Sequence, residues 1–420
     1  MDALSFLGSL DIMSILLLFW YTTLLEIPRY FISALIIPAV MLWRWRRSPL
    51  NPNLTVSVIL VGHNEEVPLP VCVASLLEQT IISECRKMEI IVVDDGSTDR
   101  MGEVASGLRR AGKVDHVLRL EQRSGKSAGV NLGLSVSSGD IVVISDCDTT
   151  LDRDALAELI SYFSDPRVGA VCGNLGVRNL SDSLMTRLQA IEYAIGISLG
   201  RCMADALGTL SVISGAFGAF RRAALESVGG QDVEVGEDAD LTMKLRRAGW
   251  RLRFAPEAHA LTSVPNTVSA FIAQRLRWDR GLITIWGRKF RETMYPRQAT
   301  FRLLDALAVF DVIFFQVLLA ILFPIYLGWL IFYFGGFSAT IIGATLVGYL
   351  LLDVLIFGAA AAIGIRTPAW LIAYLPLYTL LHVWLARTVR LIAIGQELVF
   401  RSSYRDPYVP RRVMSQVEAV

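Results

Sequence analysis

The stretch Asp140-Ile141-Val142-Val143-Ile144-Ser145-Asp146-Cys147-Asp148 decides the fold. A short β-branched run closed by acids reads as a buried strand, 140–145, with its polar residues gathered at the carboxyl end. Asp146 and Asp148 are separated by one residue, so on extended backbone they point to the same side and Cys147 points into the fold. Three earlier runs have the same form, at 56–61, 89–93 and 116–120, with helical patterns between them. Strands alternating with helices predict an α/β domain built on a parallel sheet. In such sheets ligands bind beyond the carboxyl ends of the strands. Here those ends carry Gly62-His63-Asn64-Glu65, Asp94-Asp95-Gly96-Ser97 and Asp146-Cys147-Asp148, three polar clusters that define one site.

The rest of the chain is less polar than a soluble protein. Its 420 residues suit two or three structural units. Hydrophobic residues make up 53% and charged residues 19%, with a mean hydropathy of +0.49, which excludes both disorder and a wholly soluble protein. Forty basic and thirty-nine acidic residues leave a formal charge of +1, so no global field recruits nucleic acid. Five cysteines without a C-x-x-C pair read as reduced cytosolic thiols, and four scattered histidines exclude a zinc hydrolase. A divalent ion would have to rest on carboxylates.

A membrane span needs about 20 mainly apolar residues. The C-terminal third offers three such stretches, 307–334, 339–365 and 369–394, punctuated by Gly335-Gly336 and by Arg366-Thr367-Pro368. At the N-terminus 4–25 is apolar apart from Asp11, and a second apolar run covers 30–43; one kinked span or two short ones both fit. A cleaved signal peptide is not expected, since no basic residue precedes the apolar run and no small-residue cleavage site follows. Arg44, Arg46 and Arg47 on one flank, and Arg288, Lys289, Arg291, Arg297 and Arg302 on the other, place the middle domain in the cytoplasm. Three spans beyond it would leave the tail outside, yet Arg401, Arg405, Arg411 and Arg412 favour the inside. Arg387 and Arg390 within the last stretch offer a way out: its second half could rest on the cytoplasmic interface instead.

Other nucleotide sites fit poorly. Ser124-Gly125-Lys126-Ser127 has Leu120 where a P-loop needs its first glycine, and no G-x-G-x-x-G follows the first strand. Carboxylates beside a bound nucleotide imply a bridging metal, Mg2+ or Mn2+, that offsets repulsion by the phosphates. From about Thr55 to Arg288 the chain resembles the processive family-2 membrane glycosyltransferases, such as the poly-N-acetylglucosamine, hyaluronan, chitin and cellulose synthases. The resemblance rests on an ordered set: Val93-Asp94-Asp95-Gly96-Ser97, Asp146-Cys147-Asp148, Gly236-Glu237-Asp238 and Gln274-Arg275-Leu276-Arg277-Trp278, which matches Q-x-x-R-W. It implies a GT-A (nucleotide-diphospho-sugar transferase) α/β cytoplasmic domain flanked by transmembrane α-helices, a UDP-sugar donor, an inverting transfer and secretion of the polymer.

Each motif also has a plainer reading. Asp94 and Asp95 could form only a turn with Gly96, but paired acids in a chain poor in charge suit the base and ribose of a donor. The resemblance gives Asp148 to the metal and Asp146 to the donor, with Asn64 and Glu65 beside them. Lys126, either a solvated lysine or a compact positive charge on donor phosphate or ribose, opens a helix that also carries Asn131. Glu237 and Asp238 could serve only to cap the helix expected over 239–248. The resemblance makes Asp238 the general base, with Gly-Glu-Asp standing where relatives carry Thr-Glu-Asp or Gly-Asp-Asp. Gln274, Arg275, Arg277 and Trp278 could mark an amphipathic interface helix. The functional reading puts Trp278 and Gln274 at the acceptor sugar and Arg275 or Arg277 at the departing diphosphate. His63 and His259 read as structural.

The organisation expected is a membrane segment over 1–47, the catalytic domain over 48–281, an amphipathic interface segment over 282–302, about three transmembrane helices over 303–400 and a polar tail over 401–420. The activity expected is that of a hexosyltransferase polymerising N-acetylglucosamine or glucose from its UDP-sugar, at the plasma or bacterial inner membrane. Its partners would be the polysaccharide acceptor, the lipid bilayer and an accessory export or regulatory subunit. Two rivals are a single transfer to a membrane lipid and a transporter with a regulatory nucleotide-binding domain. The latter suffers because only Asp305, Asp311 and Asp353 are acids in the C-terminal spans.

Overall fold

The computed structural model describes residues 5, 8–28, 53–83, 85–297, 301–406, 409–410 and 413. The second N-terminal apolar run and Arg44, Arg46 and Arg47 lie outside them. Eight strands form one mixed sheet: β1 (Thr55–Gly62), β2 (Lys87–Asp94), β3 (His116–Arg119), β4 (Ile141–Asp146), β5 (Thr150–Leu151), β6 (Val168–Val177), β7 (Phe217–Arg221) and β8 (Arg251–Thr262). Their order is β3-β2-β1-β4-β7-β6-β8-β5. The first four pair in parallel, which is the arrangement expected from sequence. The other half is new: β7 runs antiparallel between β4 and β6, and β8 lies parallel to β6.

Alternation along β1 explains why both faces are covered. Val56, Val58 and Leu60 enter one core with α2 (Leu69–Leu77), α3 (Met101–Arg110) and α5 (Ala155–Ser161). Ile59 and Val61 enter the other, with α4 (Lys126–Val136) and α8 (Glu237–Arg247). Helix α4 approaches closely because Gly129 and Gly133 face the strand. A Cβ there would come within 2.5 Å of Val61 and 2.6 Å of Ile59. That approach delivers Lys126, at the head of α4, to the strand ends.

Helix α9 (Val268–Leu282) begins at Thr267, whose hydroxyl accepts the Ala270 amide at 3.3 Å. The segment expected to lie as a separate interface piece instead prolongs α9 through Ile283–Lys289, with Ile285 and Trp286 buried. Large apolar side chains on the inward face draw it into the packing. From Leu303 a long apolar helical run leads away from the domain, anchored by the buried Arg246–Asp305 pair at 2.7 Å. Removing one partner of such a pair costs about 3–5 kcal/mol, because the other charge stays buried. The run includes α10 (Leu319–Phe334), turns at Gly335–Phe337 and returns as α11 (Ser338–Ala362). The N-terminal helix α1 (Ile12–Leu18) and its continuation pack on these two, where the Tyr21 ring stacks on Tyr326 at 5.4 Å. The Tyr21 hydroxyl donates to the Leu319 carbonyl at 2.9 Å.

Residues 303–362 and 369–400 are both long and apolar enough to cross a membrane. The second stretch, which ends in α12 (Val383–Phe400), departs from a simple third span. It lies lengthwise on the sheet domain. Arg366, just before it, pairs with Asp152; His382 bonds Glu192 at 2.8 Å; Arg390 bonds Asp279 at 2.9 Å; Glu397 pairs with Arg288. Beyond its end, Asp406 meets Arg280 at 3.3 Å. His382, Arg390 and Glu397 turn inward to partners, while Trp370, Leu381, Leu398 and Phe400 are exposed. Hydropathy averaged along the chain does not see that division of faces.

Candidate active site

The three strand-end clusters do converge. After β1, Asn64 adopts a left-handed backbone (φ 62°), which asparagine tolerates, and its Oδ1 accepts the amides of Thr98 at 2.8 Å and Asp99 at 3.3 Å. Asp94 accepts the Ser97 amide at 2.8 Å and faces Arg119 at 3.4 Å. Asp95 accepts the amides of Ser124 at 2.6 Å and Gly125 at 2.8 Å. Both aspartates are buried, deeper than an assignment to base and ribose expects. The Asp95 carboxylate fastens the loop that carries Lys126, while that of Asp94 holds the Ser97 turn and Arg119. His63 bonds the Asp95 carbonyl at 2.9 Å, in keeping with a structural role.

At the end of β4, Asp146 forms an ion pair with Lys126, whose ammonium is nearly buried. Cys147 is buried as expected. Asp148 lies 3.4 Å from the Thr262 hydroxyl through either oxygen, and its backbone carbonyl accepts Arg178 Nη2 at 2.6 Å. Arg178 also donates to the Thr150 hydroxyl and the Leu261 carbonyl, so it staples the D-x-D turn to β5 and β8. It escaped the sequence reading because it follows β6, a strand not read there.

Glu65 completes the acidic group. Burial, and then the charges of Asp148, Asp146 and Asp99, push its carboxyl up to about 7. Asp148 is raised too, by burial and by Asp146. Carboxylates that repel one another in an all-oxygen environment suit a hard divalent cation. Among the described residues no three acidic, histidine or cysteine side chains converge tightly enough to hold an ion alone. Such an ion would need further oxygen ligands beyond these carboxylates.

Helix α8 brings the second pair of acids. A Cβ at Gly215 would stand 3.0 Å from Lys126 Nζ and 3.8 Å from Asp238 Cβ, so the lysine and Asp238 flank one narrow gap. Asp238 is half-buried, with Oδ1 accepting the Ala239 amide at 2.8 Å. Glu237 is buried, and burial plus the Asp238 charge, eased by Lys126, push it up to about 7. It lines a small cleft with Ser124, Lys126, Val233 and Val409, so the C-terminal tail forms part of one wall. A second cleft, lined by Tyr21, Tyr326, Trp384 and Arg387, lies among the N- and C-terminal helices.

The residues on α9 divide into two sets. Trp278 is 39% exposed, and Gln274 has a buried Oε1 without a hydrogen-bond partner among the described residues. Arg277 is half-buried on the same helix. Arg275, expected at the diphosphate, is instead buried and paired with Glu192 at 2.7 Å. A carboxylate from α6 (Leu184–Glu192) has claimed it, and nothing in the pattern around Glu192 announced that partner.

Residues 57–229 match the family described as glycosyl transferase family 2, so the chain carries a domain of that family. A poly-beta-1,6-N-acetyl-D-glucosamine synthase of Staphylococcus aureus (strain COL) is 31% identical over 245 residues. An N-acetylglucosaminyltransferase of Rhizobium leguminosarum bv. viciae is 33% identical over 258 residues. Each match spans 58% of this chain and 58% of the relative. A mannosyltransferase of Pyrobaculum calidifontis, solved with GDP-Man and Mn2+, aligns with 91% of this chain and 99% of its own at a TM-score of 0.59 and 19% identity. That likeness shows the fold, which is GT-A.

Proposed function

We propose that this protein is an inverting, processive β-glycosyltransferase that polymerises N-acetylglucosamine from UDP-N-acetylglucosamine and passes the chain across a membrane. The observation that carries the reading is the approach at Gly215 of Asp238 and of Lys126, which pairs with Asp146 of the D-x-D turn. An acceptor hydroxyl placed there loses its proton to Asp238 as its oxygen attacks the anomeric carbon. A β-linkage forms from an α-linked donor. Lys126 sets a compact positive charge beside the departing diphosphate. Asp148 would hold Mg2+ or Mn2+, which when bound neutralises charge on that leaving group. Trp278 offers an open indole face on which the acceptor sugar stacks, next to the amide of Gln274. The names of the two curated relatives support N-acetylglucosamine over glucose.

The long helices support a membrane site. With the sheet domain on the cytoplasmic face, the helix from Leu303 crosses outward and α11 returns. Stretch 369–400 then lies on the inner surface with the tail on the domain's side, which reconciles the tail arginines with the positive-inside rule.

Purified protein incubated without lipid, with Mg2+ and one radiolabelled donor at a time, tests this directly. Polymer from UDP-N-acetylglucosamine is expected. Polymer from UDP-glucose alone would change the sugar, product only on a supplied lipid would favour single transfer, and no incorporation from any donor would overturn the proposal.

A further inference from the structure

One carboxylate oxygen joins three elements next to the proposed acceptor platform. Glu192 Oε2, at the end of α6, receives Arg275 Nη2 of α9 at 2.7 Å and His382 Nε2 of the C-terminal helix at 2.8 Å. The same guanidinium lies 4.2 Å over the Trp278 ring and 5.1 Å from the Phe271 ring. His382 is buried, stacked on Tyr378 at 5.4 Å and tilted against Phe271 at 5.0 Å.

We infer that Glu192 is a positioning residue for Trp278, acting through Arg275, and that His382 locks it in place from the C-terminal helix. Guanidinium is planar, so it pairs through its edge while stacking through its face. The edge that meets Glu192 fixes the plane that Trp278 rests on. Arg275 Nε is buried without a hydrogen-bond partner among the described residues, so the Glu192 contact is the polar contact that orients the group. Trp278 remains 39% exposed beside that stack. Glu192 is half-buried, and its desolvation disfavours the ionised form, but Arg275 and His382 hold its carboxyl at about 2. A helix that lies along the membrane side of the domain thereby reaches the acceptor platform through two hydrogen bonds and one stack. The role at the acceptor rests on the function proposed above; the control of the Trp278 orientation does not.

Two readouts separate these. First, acrylamide quenching of Trp278, taken as the difference between each protein and the same protein carrying Trp278→Phe, needs no turnover. It should rise in Glu192→Gln and in Arg275→Lys, the latter keeping the charge opposite Glu192 while losing the plane. Unchanged quenching in Arg275→Lys overturns the inference even if Glu192→Gln fails to fold. Second, with an N-acetylglucosamine oligomer as primer, both variants should raise the primer KM at least about fivefold, the scale of a lost aromatic contact. The donor KM should stay within about twofold, and Glu192→Gln should add nothing in a Trp278→Ala background. Additive effects, or a matching rise in donor KM, would show a merely structural carboxylate. A wild-type protein that consumes no donor, yet shows the quenching change, would refute the proposed function and leave the positioning role standing.

Discussion

Glu237 and Asp238 are adjacent acids with different surroundings. Asp238 is half-buried at the Gly215 gap, whereas Glu237 is buried against Lys126. Asp238→Asn should leave donor affinity within a few fold and lower kcat by at least about 10²-fold, the scale of a lost general base. Steady-state kinetics with the donor binding constant measured separately check this, and near-normal kcat would move the base to Glu237. Glu237 makes its own prediction. Its folded value of about 7 lies above the ordinary 4.5, so the fold holds its proton more tightly than the unfolded chain does. Its burial costs nothing below pH 4.5, and the penalty grows until the pH passes about 7. Glu237→Gln should therefore raise Tm by at least about 2 °C at pH 8 and not at pH 4.5, read by a thermal scan at both. Asp148→Asn should abolish turnover and remove the Mg2+ dependence of donor binding, and wild-type metal dependence in that variant would refute the assignment. Sequence locates such acids at strand ends but not the atoms they face. Asp94 and Asp95 look like Asp146 in a string of letters, yet the first two hold backbone amides and the third holds a lysine.

Among the elements, the parallel half of the sheet was legible because β1, β2 and β4 are rich in β-branched residues and lead into polar ones. The antiparallel half was not. Strand β6 reads Val-Gly-Ala-Val-Cys-Gly-Asn-Leu-Gly-Val and β7 is five residues long with a glycine, so neither carries a strong periodic signal. The C-terminal helices show the opposite case, a strong signal that does not say which way each face turns. Stretch 369–400 has the hydropathy of a span, but His382, Arg390 and Glu397 spend their polarity on the domain, so its apolar face is one side and not the whole circumference. That difference can be measured with a membrane-impermeant maleimide on sealed right-side-out vesicles, the native thiols serving as background. Gly336→Cys should label from outside, and Arg405→Cys only after permeabilisation. Labelling of both from outside would restore a third crossing.

The whole molecule joins a transferase site to a group of helices that encloses polar side chains. Glu26 and Arg387 pair at 2.6 Å there, and the cleft beside them is lined by Tyr21, Tyr326 and Trp384 as well as Thr22 and Thr379. Aromatic faces with hydroxyls are the surfaces a sugar chain meets. Synthesis and passage are therefore one claim. It is tested most directly by purified protein reconstituted into sealed liposomes with the sheet domain outward, supplied with labelled UDP-N-acetylglucosamine and Mg2+ outside. The account predicts labelled polymer inside the vesicles, resistant to an added polysaccharide hydrolase until detergent opens them. Polymer digested in full without detergent, or a label confined to a short glycolipid, would contradict it.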